Sequence, residues 1–276
     1  MNTKPLVSIV IPTFNRLYPL AELIEALSRQ AYQNFEVIIV NDAGEMVDII
    51  RDLYSELNIT IVNLPENQHH VFARNTGVAQ ANGELIMLID DDDIILDTHI
   101  ETMVEAIEDC DFVYSDVEIV DYKVKDHVRY VTNRFLFAYQ YDLDAMKKFS
   151  TFVPSGCLYR RKIHETIGYF DMEVKNYWDW DFFLRVANVY QVKRSPVANV
   201  LYEFSAGGTN QSSYTASMRK YLDRLCEKHG LGELPTKNFF LLLEEEEVVA
   251  RKALSKVVWD GQPIISRLVN NMETGA

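Results

Sequence analysis

Over the first hundred residues the apolar positions switch repeatedly between two spacings. Leu6–Pro12 is apolar except for Ser8, dense in β-branched residues and closed by proline, which predicts a buried strand. Between Leu17 and Gln30, Leu20, Leu23, Ile24 and Leu27 fall at helical intervals and predict an amphipathic helix. The alternation repeats with strands over Phe35–Val40, Ile59–Leu64 and Glu84–Ile89. Helices fall between them over Met46–Leu57 and Val71–Ala81, the second stopped by Asn82-Gly83. Strands alternating with helices in units of roughly 25 residues imply a doubly wound α/β layer with a mostly parallel sheet.

The second half is less regular. Phe112–Val120, Val128–Val131 and Val192–Phe204 read as strands. Leu143–Phe149, Trp178–Val189, Tyr214–His229 and Asn238–Val258 read as helices, with a break at Gly230–Pro235 and a frayed final dozen residues. These patterns divide the chain into residues 1–210, with a regular half (1–120) and a mixed half (121–210), and a helical extension over 211–276.

In a parallel sheet of this kind the ligand crevice lies beyond the carboxyl ends of the strands. That rule selects Pro12-Thr13-Phe14-Asn15, Asn41-Asp42 and the run Asp90–Asp93. Four successive carboxylates after an apolar strand repel one another and lose hydration, and a bound hard cation neutralises them naturally. Residues two apart at a strand end point the same way, so Asp90 and Asp92 can share one target. The alternative is a solvated acidic turn before the next helix, with Asp97 as its cap. No EF-hand pattern is present.

Bulk composition narrows the field. The chain has 276 residues, with 27 Lys plus Arg against 41 Asp plus Glu, a net charge of −14. A nucleic-acid groove or an anionic membrane surface needs clustered positive charge, so neither is expected as a partner. Cys110, Cys157 and Cys226 form no C-x-x-C pair and fit a reduced compartment as packing residues. No apolar run reaches membrane-spanning length, so a cytoplasmic protein is expected, with attachment to the inner membrane face as an option.

Four motifs in order carry a family resemblance: Val7-Ser-Ile-Val-Ile-Pro-Thr-Phe-Asn15; Val37-Ile-Ile-Val-Asn-Asp42; Ala73-Arg-Asn-Thr-Gly77 with Ala81-Asn-Gly83; and Leu88-Ile-Asp-Asp-Asp-Asp93. Trp178-Asp-Trp-Asp-Phe-Phe-Leu-Arg185 is similar to an acidic acceptor-side motif. Across roughly residues 5 to 205 the chain resembles the family 2 glycosyltransferases, inverting enzymes of the GT-A fold. The resemblance implies transfer of a sugar from a nucleotide diphosphate donor, usually a UDP-sugar, to a hydroxyl acceptor with Mn²⁺ or Mg²⁺; residues 1–120 would be the nucleotide-sugar half and 121–210 the acceptor half. The acceptor would be a glycan, a lipid-linked sugar or a small molecule. By position, Pro12, Thr13 and Asn15 would line the nucleoside pocket, Asp42 would meet the base, and Arg74 would approach the phosphates. Asp92 would be the principal metal ligand, Asp90 its helper near the ribose, and Asp91 a further donor contact. Asp179 would be the general base. Two departures stand out: Trp178 replaces the usual acid before the base, and Tyr202–Gly208 carries no histidine to join the metal site.

Other features have blander expectations. Trp178 and Trp180 beside the base are candidates for stacking on an acceptor sugar, whereas Phe135 and Phe137 are expected in the core. His69-His70 is expected to be solvated, as is Tyr159-Arg-Arg-Lys162 at a helix start. A homodimer through the C-terminal helices is one assembly the pattern allows. A catalytically inactive binding module and a metal-dependent nucleotidyltransferase or phosphohydrolase are the competing functions. The chain lacks the Gly-rich, Lys-bearing phosphate loop that the latter commonly uses.

Overall fold

The computed structural model describes residues 4–204, 215–237 and 239–274. Strands β1 (Val7–Thr13), β2 (Phe35–Asn41), β3 (Ile59–Asn63) and β4 (Leu85–Leu88) lie parallel in the order β3-β2-β1-β4. Along β1, Val7, Ile9 and Ile11 enter one core with the helix α1 (Leu17–Ser28), while Val10 enters a second core with α3 (His69–Gln80). The period of two thus feeds helices on both faces of the sheet, as the patterning required. Residue 77 is a glycine because α3 crosses β1 closely: a Cβ there would sit 2.4 Å from Val10 Cγ1.

The second half extends the same sheet. Strands β6 (Phe112–Lys125) and β9 (Val192–Glu203) are parallel neighbours, and β8 (Leu158–Arg160) joins β6 to β4 by antiparallel pairing. Strand β7 (Val128–Phe137) forms a hairpin with β6, and β5 (Ile94–Ile95) pairs with β9. The helix α7 (Trp178–Ala187) packs Phe182, Phe183 and Val186 into the same core as α3. The fold is therefore mixed α/β around a mostly parallel sheet. The three cysteines are buried and free.

Several boundaries differ from the sequence pattern. The second helix, α2, shrinks to Ile49–Leu53. Helix α4 (His99–Ala106) is preceded by Thr98, no side chain caps it, and Asp97 is exposed. The long helix expected over Asn238–Val258 is replaced by two single turns, α9 (Phe239–Leu242) and α10 (Glu246–Val249), and the strand β10 (Lys256–Val257); residue 238 lies outside the described residues. The cause is tertiary: Ala253 N donates to Ala138 O at 3.0 Å and Arg251 O accepts from Gln140 N at 2.7 Å. That pairing diverts the backbone from a helical ladder and carries β10 to the sheet edge beside β9.

The expected fraying is overturned too. Helix α11 (Arg267–Thr274) buries Leu268 and Val269, and Arg267 donates to Leu53 O at 2.9 Å. Helix α8 (Thr215–His229) covers the expected Tyr214–His229 apart from Tyr214, which is outside the described residues. Among the described residues no helix is long and apolar enough to cross a membrane.

Gly77→Val would wedge a β-branched side chain between α3 and β1, where Val10 and Val40 have little room to turn. Overpacking of this kind costs about 2–3 kcal/mol, so thermal denaturation should show a melting point roughly 5–10 °C lower. An unchanged melting point would mean that α3 does not sit this close to β1.

Candidate active site

A cleft of about 680 Å³ opens at the carboxyl ends of β1 and β4. Its walls bring together Pro12 and Thr13 from β1, Asp42 after β2, Arg74 from α3, Asp90, Asp91 and Asp92 after β4, and Trp178 and Asp179 from α7. Residues as far apart in sequence as Pro12 and Phe204 therefore face one space, because the parallel strands end at a common level. Asn15 does not line the cleft. It takes a left-handed backbone (φ 56°), and its Oδ1 accepts from Glu45 N at 2.8 Å, which ties the β1 loop to the β2 loop. Asp42 is buried and its Oδ1 accepts from Gln68 N at 2.7 Å.

The aspartate run divides by environment. Asp93 is 1% exposed and its two oxygens are taken by Ser155 Oγ and by Glu203 N (2.8 Å), so it works as a structural anchor. Asp90 and Asp92 are half-buried at the cleft, and Asp91 is buried between them. Burial, followed by the Asp92 charge, pushes the Asp91 carboxyl up to about 7; burial also raises Asp92, and raises Asp93 well above its ordinary range.

Three arginines offset this crowding. Arg16 donates to Asp92 Oδ2 and lies 3.4 Å from Asp91 Oδ1. Arg74 donates to Asp90 Oδ1 and to His70 O (3.1 Å), with its guanidinium 4.2 Å from the Trp178 ring centre. Arg129, buried on β7, donates to Asp92 O (2.6 Å) and Glu203 Oε2 (2.8 Å) and pairs with Glu22. The expectation that only a bound cation makes the aspartates tolerable is thus corrected: fixed guanidinium groups already supply positive charge. Sequence reasoning passed over Arg16 and Arg129. Arg16 follows directly on the first motif, a signal that was available, whereas Arg129 has none outside the tertiary structure.

Single oxygens of Asp90, Asp92 and Asp93 lie within 4.8 Å of one another. Thr13 Oγ1 and Asp91 Oδ2 are buried and meet no partner at hydrogen-bonding geometry among the described residues. With Asp93 engaged by the protein, Asp90 and Asp92 are the carboxylates suited to a hard divalent ion in the cleft.

Asp179 is the second residue of α7 and half-buried. Burial pushes its carboxyl up to about 6, against the lowering effect of backbone amides at the helix start and of Arg74. Its helix is held by Asp181, which is fully buried and accepts from Arg185 Nε (2.9 Å) and His229 Nε2 (2.8 Å).

Trp178 is 5% exposed and serves as a bed for Arg74, while Trp180 borders a second, adjoining cavity and its Nε1 donates to Met146 O at 2.7 Å. His69 is exposed, as expected, but His70 is half-buried: α3 begins early enough to set it one turn before Arg74, 2.9 Å from Nη1, and burial pushes it down to about 3, so it is neutral. In the basic stretch Tyr159 is buried, whereas Arg161 and Lys162 are exposed, as expected, at the start of the helix over Ile163–Ile167; Arg160 and Arg161 donate to the carbonyls of Cys110 (3.2 Å) and Gly83 (2.8 Å).

Known proteins share the family and the fold of this chain. The family model described as Glycosyl transferase family 2 matches residues 8–168, more than half of the chain. The chain is 57% identical over 263 residues to YwdF, an uncharacterized glycosyltransferase of Bacillus subtilis (strain 168), covering 95% of this chain and 98% of that protein. Among solved structures it is similar to S. aureus TarS 1–349 in complex with UDP-GlcNAc, with TM-score 0.65 and 19% identity over 80% of this chain and 66% of that one. It is also similar to the mannosyltransferase PcManGT of Pyrobaculum calidifontis in complex with GDP-Man and Mn²⁺, with TM-score 0.60 and 16% identity over 85% and 67% of the two chains. At such identities the structural likenesses speak for a common GT-A fold. The chain belongs to glycosyl transferase family 2 and is a glycosyltransferase.

Proposed function

We propose that this glycosyltransferase moves a sugar from a nucleotide diphosphate sugar, a UDP-sugar in the first instance, onto an acceptor hydroxyl with inversion at the anomeric carbon. The observation that carries the proposal is one cleft bounded on one side by Asp90–Asp92 and on another by Asp179. Nucleotide sugars in the structures of TarS and PcManGT support it by analogy of fold.

Pro12 and Thr13 form the nucleoside wall, and Asp42 accepts a hydrogen bond from the base. Asn15 acts by holding this loop in place rather than by contact. Arg74, clamped between Trp178 and Asp90, and Arg16, on Asp91 and Asp92, are the cations nearest a diphosphate. Asp92 and Asp90 would hold the Mn²⁺ or Mg²⁺. When bound, such an ion offsets the negative charge that grows on the departing diphosphate. Asp91, raised toward neutrality, limits the repulsion around it.

Asp179 takes the proton from the acceptor hydroxyl as that oxygen attacks the sugar, and the nucleoside diphosphate leaves from the opposite face. A positioned base contributes about 10²- to 10⁴-fold, and it works best when its pKa lies near the operating pH. Burial has moved Asp179 in that direction.

The primary test is a mass-spectrometric screen of nucleotide sugars with Mn²⁺, scored for loss of the donor and gain of a sugar on acceptors. One or more donors should be consumed in a metal-dependent way; release of inorganic phosphate or pyrophosphate instead would point to the competing hydrolytic or nucleotidyl chemistry. Asp179→Asn should lower transfer about 10²- to 10⁴-fold while a nucleoside diphosphate still raises the melting temperature as in the wild type. Transfer retained by this variant would remove Asp179 from the role. Because the base must be ionised to accept a proton, kcat/KM should fall about tenfold per pH unit below about 6 and level off above it. A profile flat down to pH 4 would contradict the assignment.

A further inference from the structure

A second cavity, of about 710 Å³, adjoins the first and shares Asp179 with it, together with Pro154, Asn176, Tyr202 and Phe204. Its size falls within the roughly 300–1,000 Å³ of pockets that bury drug-sized molecules. The walls come from the acceptor half and from the returning C-terminal segment: Phe149, Trp180, Leu222, Phe239, Phe240 and Leu242. Phe239 lies with ring centres 5.8 Å from Phe137, 6.2 Å from Phe149 and 4.6 Å from Phe204, so the turn α9 completes an aromatic box.

The polar groups on these walls fall into two sets. Lys148 is paired with Glu247 (2.9 Å), Lys237 with Glu245, and the Trp180 nitrogen with Met146 O, so these are spent. Ser150 Oγ, Thr236 Oγ1 and Arg251 Nε are buried and meet no hydrogen-bond partner among the described residues. A mostly apolar chamber with a few unmet polar atoms is the composition of a small-molecule site.

We propose that this second cavity is the acceptor site and takes an amphiphilic alcohol, whose hydroxyl reaches Asp179 while an alkyl or aryl body fills the aromatic box. The inference rests on Asp179 being the base of the transfer reaction, and it adds the chemical class of the acceptor. Phe149, Phe239, Phe240 and Leu242 border the cavity, and a purely polar sugar would not dry the apolar surface they turn toward it. An alkyl or aryl group removes that surface from water, and each added methylene strengthens binding by a constant factor.

The test is a series of n-hexyl, n-heptyl and n-octyl β-glucosides, each titrated as monomer into the full chain and followed by calorimetry and by tryptophan fluorescence, since Trp180 borders the cavity. Affinity should rise about fourfold per methylene. Phe240→Ser and Leu242→Asp should each weaken octyl glucoside at least tenfold while binding of UDP or GDP with Mn²⁺ stays within twofold of the wild type. A flat series, or octyl binding that neither variant weakens, would overturn the proposal. If one variant loses its melting transition, the other, together with the chain-length slope in the unaltered protein, still decides. Failure of every nucleoside diphosphate to bind the wild type would strike the donor assignment and leave the result for the apolar cavity separate.

Discussion

Everything at the mouth of this sheet depends on how four consecutive carboxylates are kept folded and in place. Unscreened charges a few ångströms apart interact by several kcal/mol even at an effective dielectric constant near 20. The structure meets this in two ways. Burial raises Asp91 and Asp93, which reduces their ionisation, and guanidinium groups reach the run from three directions. Arg16 comes from the loop after β1, Arg74 from α3 and Arg129 from β7. Arg129 and Glu22 form a buried pair, and removing one partner of such a pair leaves an uncompensated charge, typically a loss of about 3–5 kcal/mol, so Arg129 is constrained as tightly as the aspartates it steadies.

The same charge balance ties the two halves of the molecule together. Arg129 belongs to the β6–β7 hairpin yet grips Glu22 on α1 and the backbone of Asp92 after β4. Glu203 at the end of β9 gives its amide to Asp93 and its carboxylate to Arg129. Through these bonds the aspartates after β4 and the strands β7 and β9 share one junction. Asp179 faces the same cleft from α7, whose position is fixed by the buried Asp181. The proposed transfer needs the leaving group and the acceptor held at a set separation, and this junction is the element that would set it.

Much of the donor half was legible because its signals are local. The runs around Ile9, Ile38 and Ile86 are buried on both faces, so their continuous apolar character marked them as strands, and the topological rule then pointed to Asp90–Asp93. Asp179 was legible only through its motif, since an acid in the first turn of a helix is common. What escaped is non-local. Arg129 meets Glu22 across 107 residues, and no periodicity on β7 distinguishes it from Arg134, which is exposed on the same strand. Trp178 and Trp180 sit two apart on one helix, so they diverge into different cavities, one beneath Arg74 and the other toward the aromatic box. The path of residues 239–257 was misjudged because backbone bonds to Ala138 and Gln140 outweigh the helical propensity of the segment.

In the proposed reaction Asp90 and Asp92, balanced by Arg16 and Arg74, form a seat for a divalent ion together with a diphosphate. Calorimetric titration of UDP and GDP into the full chain, with Mn²⁺ present and with the metal chelated, measures that seat. Saturable binding of at least one nucleotide is expected, dependent on the ion and at least tenfold weaker in Asp92→Asn. Binding equally tight without metal, or no nucleotide binding at all, would contradict it.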